Sequence, residues 1–272
     1  MYAGTDDEAI GLRPAVLVRP GLSAHERQEA VLEEAALSLV INGAPHAVMM
    51  VTPVDRDDFV RGFLWSEGIL RDITEISAWE WVTTAAGHWT AYLQLAPPAA
   101  DRAARKRRSG VGASACGLCG IPRFDSLIPF PPVSMAAPLR PDWVHERMRH
   151  MARQQALNHR TGTAHAAILT GTAGTIVRED IGRHNAVDKV IGAALAHGWR
   201  PGDAALLGVS SRLGFEIALK AVGFAVPAVA AISGVSSLAI HTAESHGLIL
   251  AGYARDGRMT IYTHSERLAH SR

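Results

Sequence analysis

Residues 204–255 read AALLGVSSRLGFEIALKAVGFAVPAVAAISGVSSLAIHTAESHGLILAGYAR, and this stretch decides the fold. Short apolar runs, which are typical of buried strands, alternate in it with segments of helical periodicity that follow serines. Such alternation favours a sheet covered by helices, with parallel neighbours where a helix crosses over between two strands. We therefore predict an α/β fold for this part of the chain.

The flanking sequence extends the same architecture on both sides. Residues 165–180 predict a hairpin, and residues 181–198 predict a helix that ends at a glycine. Beyond residue 255, the Asp256-Gly257 turn leads into a last strand, RMTIYT. We therefore predict one α/β domain over residues 143–272.

A smaller α+β domain is predicted for residues 1–100. A serine followed three residues later by a glutamate predicts a short helix over residues 23–36. Two strands joined at the Asn42-Gly43 turn follow, and then a helix over residues 53–70. Alternating polar and apolar residues between 73 and 96 predict two further strands.

The composition limits the classes of function. The 272 residues are 48% hydrophobic and 19% charged, as in a globular chain, and the length suggests about two domains. The net charge of +1 gives no indication of a nucleic-acid partner. Two cysteines are too few for a disulfide-stapled secreted protein.

One segment has the apolar character of a membrane span. Residues 221–240 carry no charged side chain, but Pro227 and Gly234 interrupt them. Such punctuation favours a buried strand followed by a helix start over a membrane helix. The N-terminus is acidic and lacks an apolar signal core, so we expect a cytoplasmic protein with no membrane partner.

Residues 101–142 are predicted to connect the two domains flexibly. A basic run is followed by Gly, Ala and Ser residues and then by five prolines between Pro129 and Pro141, which disfavour helices and central strands. Both cysteines of the chain, Cys116 and Cys119, lie in this range within the sequence SACGLCG. The function of the connection therefore depends on the thiol pair.

The thiol pair has several interpretations that the residues alone leave open. A structural zinc site needs four ligands, so a dimer would have to supply the second cysteine pair. A redox couple normally opens a helix, whereas Pro122 and glycines follow this pair, and two buried structural cysteines do not suit Ser, Gly and Arg neighbours. The basic run favours the thiolate of Cys116, the nucleophile that a mobile sulfur carrier needs.

Four places in the C-terminal half have residues suited to binding an anion. Helix N-termini and arginine side chains both bind phosphate, and strand ends line the ligand crevice of an open α/β sheet. Ordinary helix caps and a surface hairpin give the same patterns. The candidates are Arg183, His184 and Asn185 at one helix start, Ser210, Ser211 and Arg212 and then SGVSS (233–237) at two strand ends, and Arg255 with Arg258 at a hairpin tip.

These motifs in this order resemble one family, the formate dehydrogenase accessory sulfurtransferases, FdhD. The matching pieces include CGLCG, EDIGRHNAVDKVIG, SSRLGFEIALKA and LILAGYARDGRMTIYTH, and they extend from about residue 37 to residue 264. The resemblance implies a carrier that takes sulfur from a cysteine desulfurase and passes it to the molybdenum (or tungsten) bis-molybdopterin guanine dinucleotide cofactor of formate dehydrogenase. It implies that Cys116 carries the persulfide and that Cys119 assists. The implied cofactor-binding segment is Tyr253, Ala254, Arg255, Asp256, Gly257 and Arg258.

The resemblance also implies a fold and an assembly. These are a cytidine deaminase-like C-terminal domain, a smaller N-terminal domain and a homodimer. Deaminases hold zinc with a His or Cys and a cysteine pair, but the helix starts GRHNA and SSRLG contain no cysteine. We therefore expect a crevice that binds the GDP-like part of the cofactor and no metal of the protein's own. Ala164 departs from the family, which often has threonine there.

Two other functions stay open at this point. A non-catalytic chaperone for the molybdenum cofactor would use the same crevice without the thiols. A zinc-stabilised binding protein would use one cysteine pair from each of two subunits. The reactivity of the thiols and the metal content distinguish these functions from sulfur transfer.

Overall fold

The computed structural model describes residues 6–85, 87–106, 130–135 and 137–269. These residues form twelve strands and eight α-helices, with short 3-10 helices at Ile73–Glu75 and Ser265–Arg267. The strands are β1 (Ile10–Leu17), β2 (His25–Leu32), β3 (Ala35–Ile41), β4 (Ala44–Val51), β5 (Ile76–Thr83), β6 (Trp89–Leu95), β7 (His165–Gly171), β8 (Gly174–Asp180), β9 (Ala204–Val209), β10 (Ala228–Ala231), β11 (Ile249–Arg255) and β12 (Arg258–Ile261). The helices are α1 (Asp6–Ala9), α2 (Arg56–Ser66), α3 (Pro97–Arg105), α4 (Pro141–Arg153), α5 (Ala156–Thr161), α6 (Arg183–Ala196), α7 (Phe215–Gly223) and α8 (Ser237–His246).

A six-stranded sheet forms the centre of the C-terminal part, in the order β12-β11-β10-β9-β7-β8. β9, β10 and β11 run parallel, and β7 runs antiparallel to β9. Successive side chains of a strand point to opposite faces, so Ala167 and Leu169 of β7 pack with α6, α7 and α8 while Ala166 and Ile168 pack with α4. Helices therefore cover both faces of a mixed sheet, and the predicted α/β fold class is confirmed.

A separate four-stranded sheet, in the order β4-β3-β6-β5, forms the N-terminal part. The predicted turn between β3 and β4 is confirmed, because Asn42 and Gly43 both have positive φ angles, 48° and 78°. Helix α2 packs Phe59 and Phe63 into the core of this sheet, and α3 adds small alanine side chains. Within the described ranges, no helix combines the length and the apolar character needed to cross a bilayer.

The helix predicted over residues 23–36 is wrong. The chain there forms β2, which pairs antiparallel with β1 along its whole length. A two-stranded ribbon satisfies the backbone groups of both segments, and it also buries Leu32 with Val54 and Leu157. The local serine–glutamate pattern is therefore overridden by a partner strand and a buried contact that lie elsewhere in the sequence.

Helices occupy both ends of the range that the sequence predicts as a connection. α3 continues through Arg105, and α4 begins at Pro141, which suits the first position of a helix. Between them, Val133 donates its backbone N–H to the carbonyl of His246 at 2.8 Å. Residues 107–129, with both cysteines, lie outside the described residues, and the division into domains stays a prediction.

The N-terminal and C-terminal parts meet where α2 crosses α6. A glycine on each helix allows the two backbones to come into direct contact, because glycine has no side chain to keep them apart. A Cβ atom at Gly62 would lie 1.7 Å from the Asp188 carbonyl oxygen, and one at Gly192 would lie 1.8 Å from the Asp58 carbonyl oxygen. This crossing fixes the start of α6, which is one of the predicted anion sites, against the N-terminal sheet.

Candidate functional site

The carboxyl ends of β9, β10 and β11 lie at one edge of the large sheet, which we call the carboxyl edge. Backbone hydrogen bonds join the loops that follow these strands. Ser210 donates its N–H to Ala166 at 2.9 Å, and Tyr253 donates its N–H to Ser233 at 3.0 Å. Because β7 is antiparallel, its first residue, His165, also lies at this edge. The topology thus brings the predicted anion-binding residues to one edge of the sheet.

The hydroxyl groups of the two serines after β9 form hydrogen bonds with the backbone. The Ser210 hydroxyl accepts a hydrogen bond from the Ala166 N–H at 2.8 Å, and the Ser211 hydroxyl donates to the Arg212 carbonyl at 2.9 Å. After β10, the Ser236 hydroxyl accepts from the Ala239 N–H and caps α8. These serines shape the loops, and the exposed Arg212 is the charged side chain that they present.

The side chain of Asn185 has a structural role. It is 1% exposed, and its amide nitrogen donates to the Met50 carbonyl and to Asp180, each at 2.8 Å. Both amide hydrogens therefore have partners within the protein. The residue joins β4 to the loop before α6, and its donors are not available to a ligand.

A buried ion pair lies beside Asn185. The Lys189 ammonium is 2.7 Å from Asp180 Oδ2, and both side chains are fully enclosed. Lys189 also donates to the carbonyls of Thr52 and Glu179, each at 3.2 Å. Asp180 accepts from the N–H groups of Thr52 at 3.0 Å and Gly182 at 2.8 Å. Such complete hydrogen bonding is what a buried pair needs to offset its desolvation.

The carboxylate of α6, Asp188, contacts two other helices. Asp188 accepts hydrogen bonds from Lys220 of α7 at 2.6 Å and from Ser66 of α2 at 2.7 Å. Burial raises the pKa of Asp188, and the contacts with Lys220 and Ser66 oppose that shift. Although an i, i+4 spacing would allow Asp188 to pair with His184, Asp188 contacts α7 and α2 instead.

A charged cluster surrounds the start of α6 at the carboxyl edge. His184 is 5% exposed, and its Nε2 lies 3.6 Å from Glu216 Oε2 at the start of α7. Burial alone would raise the pKa of Glu216, but the contact with His184 and the charge of Arg183 outweigh it and lower that pKa. Glu216 is thus a carboxylate at neutral pH that orients His184.

His165 belongs to the same cluster, although the sequence did not single it out. Burial lowers the pKa of His165, and the charges of Arg183, His184 and Arg212 lower it further. The negative charge of Asp180 opposes this shift. At neutral pH His165 is therefore an uncharged imidazole among cations. The cluster combines two arginines with hydrogen-bonding imidazoles, a set that suits phosphate oxygens.

The predicted segment 253–258 forms the irregular hairpin between β11 and β12. Its pairing register shifts after Gly252, and Tyr253 has a φ of +53°. The tyrosine is 40% exposed, and its hydroxyl would lie 2.8 Å from a Cβ atom at Gly234. The ring therefore lies across the loop after β10, where only a glycine leaves room for it.

Of the other residues of this hairpin, one is buried and four are exposed to solvent. Ala254 is 1% exposed and belongs to the sheet core. Arg255, Asp256, Gly257 and Arg258 are exposed, and Arg255 lies 3.7 Å from Asp256. The hairpin can thus offer two arginines and a tyrosine to a ligand, while Ala254 anchors it.

The remaining sequence predictions have different outcomes. Cys116 and Cys119 lie outside the described residues, so their geometry stays a prediction. Among the residues that the structure describes, no group of three or more metal-ligating side chains is close enough to hold an ion. Ala164 is 5% exposed and packs with Ala9 and Val54, in a site lined by apolar side chains.

The fold and this edge define a class: an α/β protein with two sheets, whose larger sheet carries arginine and histidine side chains at its strand ends. Comparison with known protein families identifies the family. The family model described as the FdhD/NarQ family matches residues 32–269. The chain belongs to the FdhD/NarQ family.

Relatives in several bacteria are similar over most of their length. The sulfur carrier protein FdhD of Variovorax paradoxus is 40% identical over 250 residues, which cover 91% of this chain and 89% of the relative. The protein of the same name from Xanthomonas axonopodis pv. citri is 36% identical, with 97% and 96% covered. A crystal structure from Desulfotalea psychrophila, of a candidate formate dehydrogenase accessory protein, is 24% identical with a TM-score of 0.75 and covers 96% of this chain and 100% of its own. That structure supports the fold.

Proposed function

We propose that this protein is a sulfur carrier of formate dehydrogenase maturation. It takes sulfur from a cysteine desulfurase on Cys116 and delivers it to the bis-molybdopterin guanine dinucleotide cofactor, which is its substrate. Membership of the family and the names of its relatives support the carrier role. The observation that carries the substrate assignment is the cluster at the carboxyl edge, in which Arg183 and Arg212 lie with two histidine side chains.

The substrate is anionic, and the crevice has charges of the opposite sign. A guanine dinucleotide cofactor carries pyrophosphate groups, which bind well to arginines near helix N-termini. Arg183 begins α6, and Arg212 lies just before α7, so both are placed for such groups. Arg255 and Arg258 at the hairpin extend the positive surface, and Tyr253 offers a ring on which a base can stack.

The first chemical step is a transfer of sulfane sulfur. The Cys116 thiolate attacks the outer sulfur of the desulfurase persulfide, a new S–S bond forms, and the donor cysteine leaves as a thiolate with the electron pair of the broken bond. The proton of the donor persulfide stays on the transferred sulfur. The basic residues Arg105 and Lys106 precede the thiol pair in the sequence and favour the thiolate.

The second step releases the sulfur at the substrate. The Cys119 thiolate attacks Sγ of Cys116, a disulfide forms between the two cysteines, and hydrosulfide leaves to become a ligand of the substrate metal. The two thiolates supply the two electrons that reduce sulfane sulfur to sulfide. A cellular dithiol must then reduce the disulfide for the next cycle.

Mass spectrometry tests the carrier role. After incubation with a cysteine desulfurase and cysteine, the wild-type protein should gain sulfur that a thiol reductant removes. The Cys116→Ala variant should gain none, whereas Cys119→Ala should still load because it lacks only the releasing thiol. Loading that is equal in wild type and Cys116→Ala would contradict the proposal.

A chaperone without thiol chemistry is the second candidate. One observation favours it: the arginine and histidine side chains at the carboxyl edge suit phosphate oxygens without the help of a thiol. A Cys116→Ser/Cys119→Ser variant that restores formate dehydrogenase activity to a deletion strain would select this function. Homodimerisation and a cytoplasmic location stay predictions, which sedimentation and cell fractionation can test.

A further inference from the structure

A second pocket lies away from the carboxyl edge. It has a volume of about 280 Å³ and is formed where α2, α3 and α7 end. Gly223 at the end of α7 lines it, whereas Glu216 at the start of the same helix adjoins the crevice. Glu216 and Gly223 are seven positions apart on α7, which separates the two regions by roughly 10 Å along the helix axis. The pocket is therefore distinct from the crevice.

Among the described residues that line this pocket, two of the four cations already have partners within the protein. Arg102 forms an ion pair with Glu75 at 2.6 Å and donates to the Ile69 carbonyl at 2.7 Å. Lys106 donates to the Glu67 carbonyl just after α2. Both therefore complement the negative end of a helix and its free carbonyls. They account for local structure and indicate no ligand.

The other two cations, Arg71 and Arg105, have a different environment. Both side chains are exposed at the pocket, and within the described residues neither forms an ion pair or a side-chain hydrogen bond. The chain as a whole has a net charge of only +1, so this local excess does not follow from composition. The rim of the pocket thus offers two available guanidinium groups to an anionic partner.

The floor of the pocket is aromatic and fixed. The Trp65 indole N–H donates to the Gly223 carbonyl at 3.2 Å, and its ring packs edge-on against Phe224 at 6.0 Å. The Phe130 ring lies over Gly223, where an added Cβ atom would be 3.0 Å from it. Held aromatic rings suit an apolar side chain, and ligand pockets for drug-sized molecules start at about 300 Å³. The pocket therefore fits one large side chain better than a nucleotide.

We propose that this pocket docks an acidic peptide segment of the sulfur-donating partner. One large apolar side chain of the segment lies between Trp65 and Phe130, and neighbouring carboxylates pair with Arg71 and Arg105. An apolar anchor within a charged rim is the common arrangement of interface hot spots. This inference rests on the proposed carrier function, which supplies the partner.

The position of the pocket explains why a donor would dock there. Lys106 and Phe130, which border residues 107–129, both line the pocket. Cys116 follows Lys106 by only ten positions in the sequence, so the pocket lies at the ends of the segment that carries the thiols. A partner bound at the pocket is therefore held beside the ends of this segment, which raises the effective concentration of its persulfide.

Peptide binding tests the pocket by itself. The probe is a fluorescein-labelled peptide of sequence Asp-Glu-Phe-Glu-Asp, measured by fluorescence anisotropy at low salt. An Arg71→Glu/Arg105→Glu variant should bind it about tenfold more weakly, because two rim pairs are lost and replaced by repulsion. The matched control is Arg149→Glu/Arg153→Glu on the exposed face of α4, which should bind as the wild type does. Equal binding by all three proteins would overturn the proposal.

Sulfur loading from two sources separates docking from chemistry. The Arg71→Glu variant, which keeps the basic run before the thiols intact, should load Cys116 about threefold more slowly from a cysteine desulfurase and at the wild-type rate from inorganic polysulfide. In the second reaction the thiolate attacks a sulfane sulfur and a shorter polysulfide leaves, so no docking is needed. Unchanged loading from the desulfurase, or slowed loading from both sources, would contradict docking at this pocket. If the wild-type protein loads from neither source, the carrier function is refuted. The anisotropy result alone then tests whether the pocket binds an acidic peptide.

Discussion

The first turns of α6 have two sides that differ in burial and in how their charges are balanced. On one side, Asn185 and Lys189 are enclosed, and each of their donors reaches a partner on β4 or β8. On the other side, Arg183 and His184 adjoin the crevice, where cations outnumber the carboxylate of Glu216. One short motif therefore both fastens the two parts of the protein together and presents a binding surface. Substitutions on the two sides should separate stability from affinity.

The largest effect is expected from Lys189→Met. It leaves Asp180 buried without its counterion, which should lower the free energy of unfolding by about 3–5 kcal/mol. Urea unfolding followed by circular dichroism measures the loss. Arg153→Met on α4 is the control and should stay within about 0.5 kcal/mol of the wild type. A loss from Lys189→Met as small as that of the control would contradict the role given to the pair.

The helix crossing gives the next largest effect. Gly62→Ala places a methyl group on the Asp188 carbonyl, so α2 and α6 must move apart, at a cost of about 1–3 kcal/mol. Thermal unfolding measures the change, and Ala196→Ser at the exposed end of α6 is the control. If Gly62→Ala unfolds at the wild-type temperature, the close approach of the two helices is not what holds α6 in place.

On the crevice side, Arg183→Ala should affect binding and spare stability. A charge-assisted hydrogen bond contributes about 1.5–3 kcal/mol, so GDP affinity should fall roughly tenfold to a hundredfold in calorimetric titration. Asn185→Ala should show the reverse, with lower stability and a nearly unchanged affinity in the folded fraction. The comparison between the two sides fails if Asn185→Ala loses affinity and Arg183→Ala loses stability.

The smallest effect is a dependence of stability on pH. The pKa of His165 is lowered in the folded state, so the unfolded chain binds the proton more readily. Stability is therefore complete above the unfolded value of about 6.5 and falls as the pH decreases below it, by at most about 1.4 kcal/mol per pH unit. Unfolding between pH 7 and pH 5.5 should show a smaller slope in His165→Asn than in the wild type. His241→Asn on α8 is the control, and an unchanged slope in His165→Asn would contradict this assignment.

Much of the C-terminal sheet could be predicted from the sequence. Its strands are short apolar runs, and glycines such as Gly198 and Gly257 mark where elements end. These signals are local. The chain 23–36 shows the limit: its serine–glutamate pattern is a valid helix signal, but pairing with β1 outweighs it.

Which residues of α6 are buried and which face the carboxyl edge could not be predicted, because the residues that they contact are distant in the sequence. Asn185 looks like a ligand-binding residue until Met50 is placed beside it. His165 became visible as a site residue only when the antiparallel register put the start of β7 at the carboxyl edge. Long-range pairing, rather than residue type, decides which polar residues face a ligand.

The proposed route takes sulfur through Cys116 on its way to the cofactor. The direct measurement is a single-turnover transfer with isotope-labelled cysteine, in which label is counted on Cys116 and then on the molybdenum cofactor released from formate dehydrogenase. On this route, label leaves Cys116 as it appears on the cofactor, and Cys116→Ala gives label in neither place. Labelled cofactor formed at the wild-type rate by Cys116→Ala would contradict it.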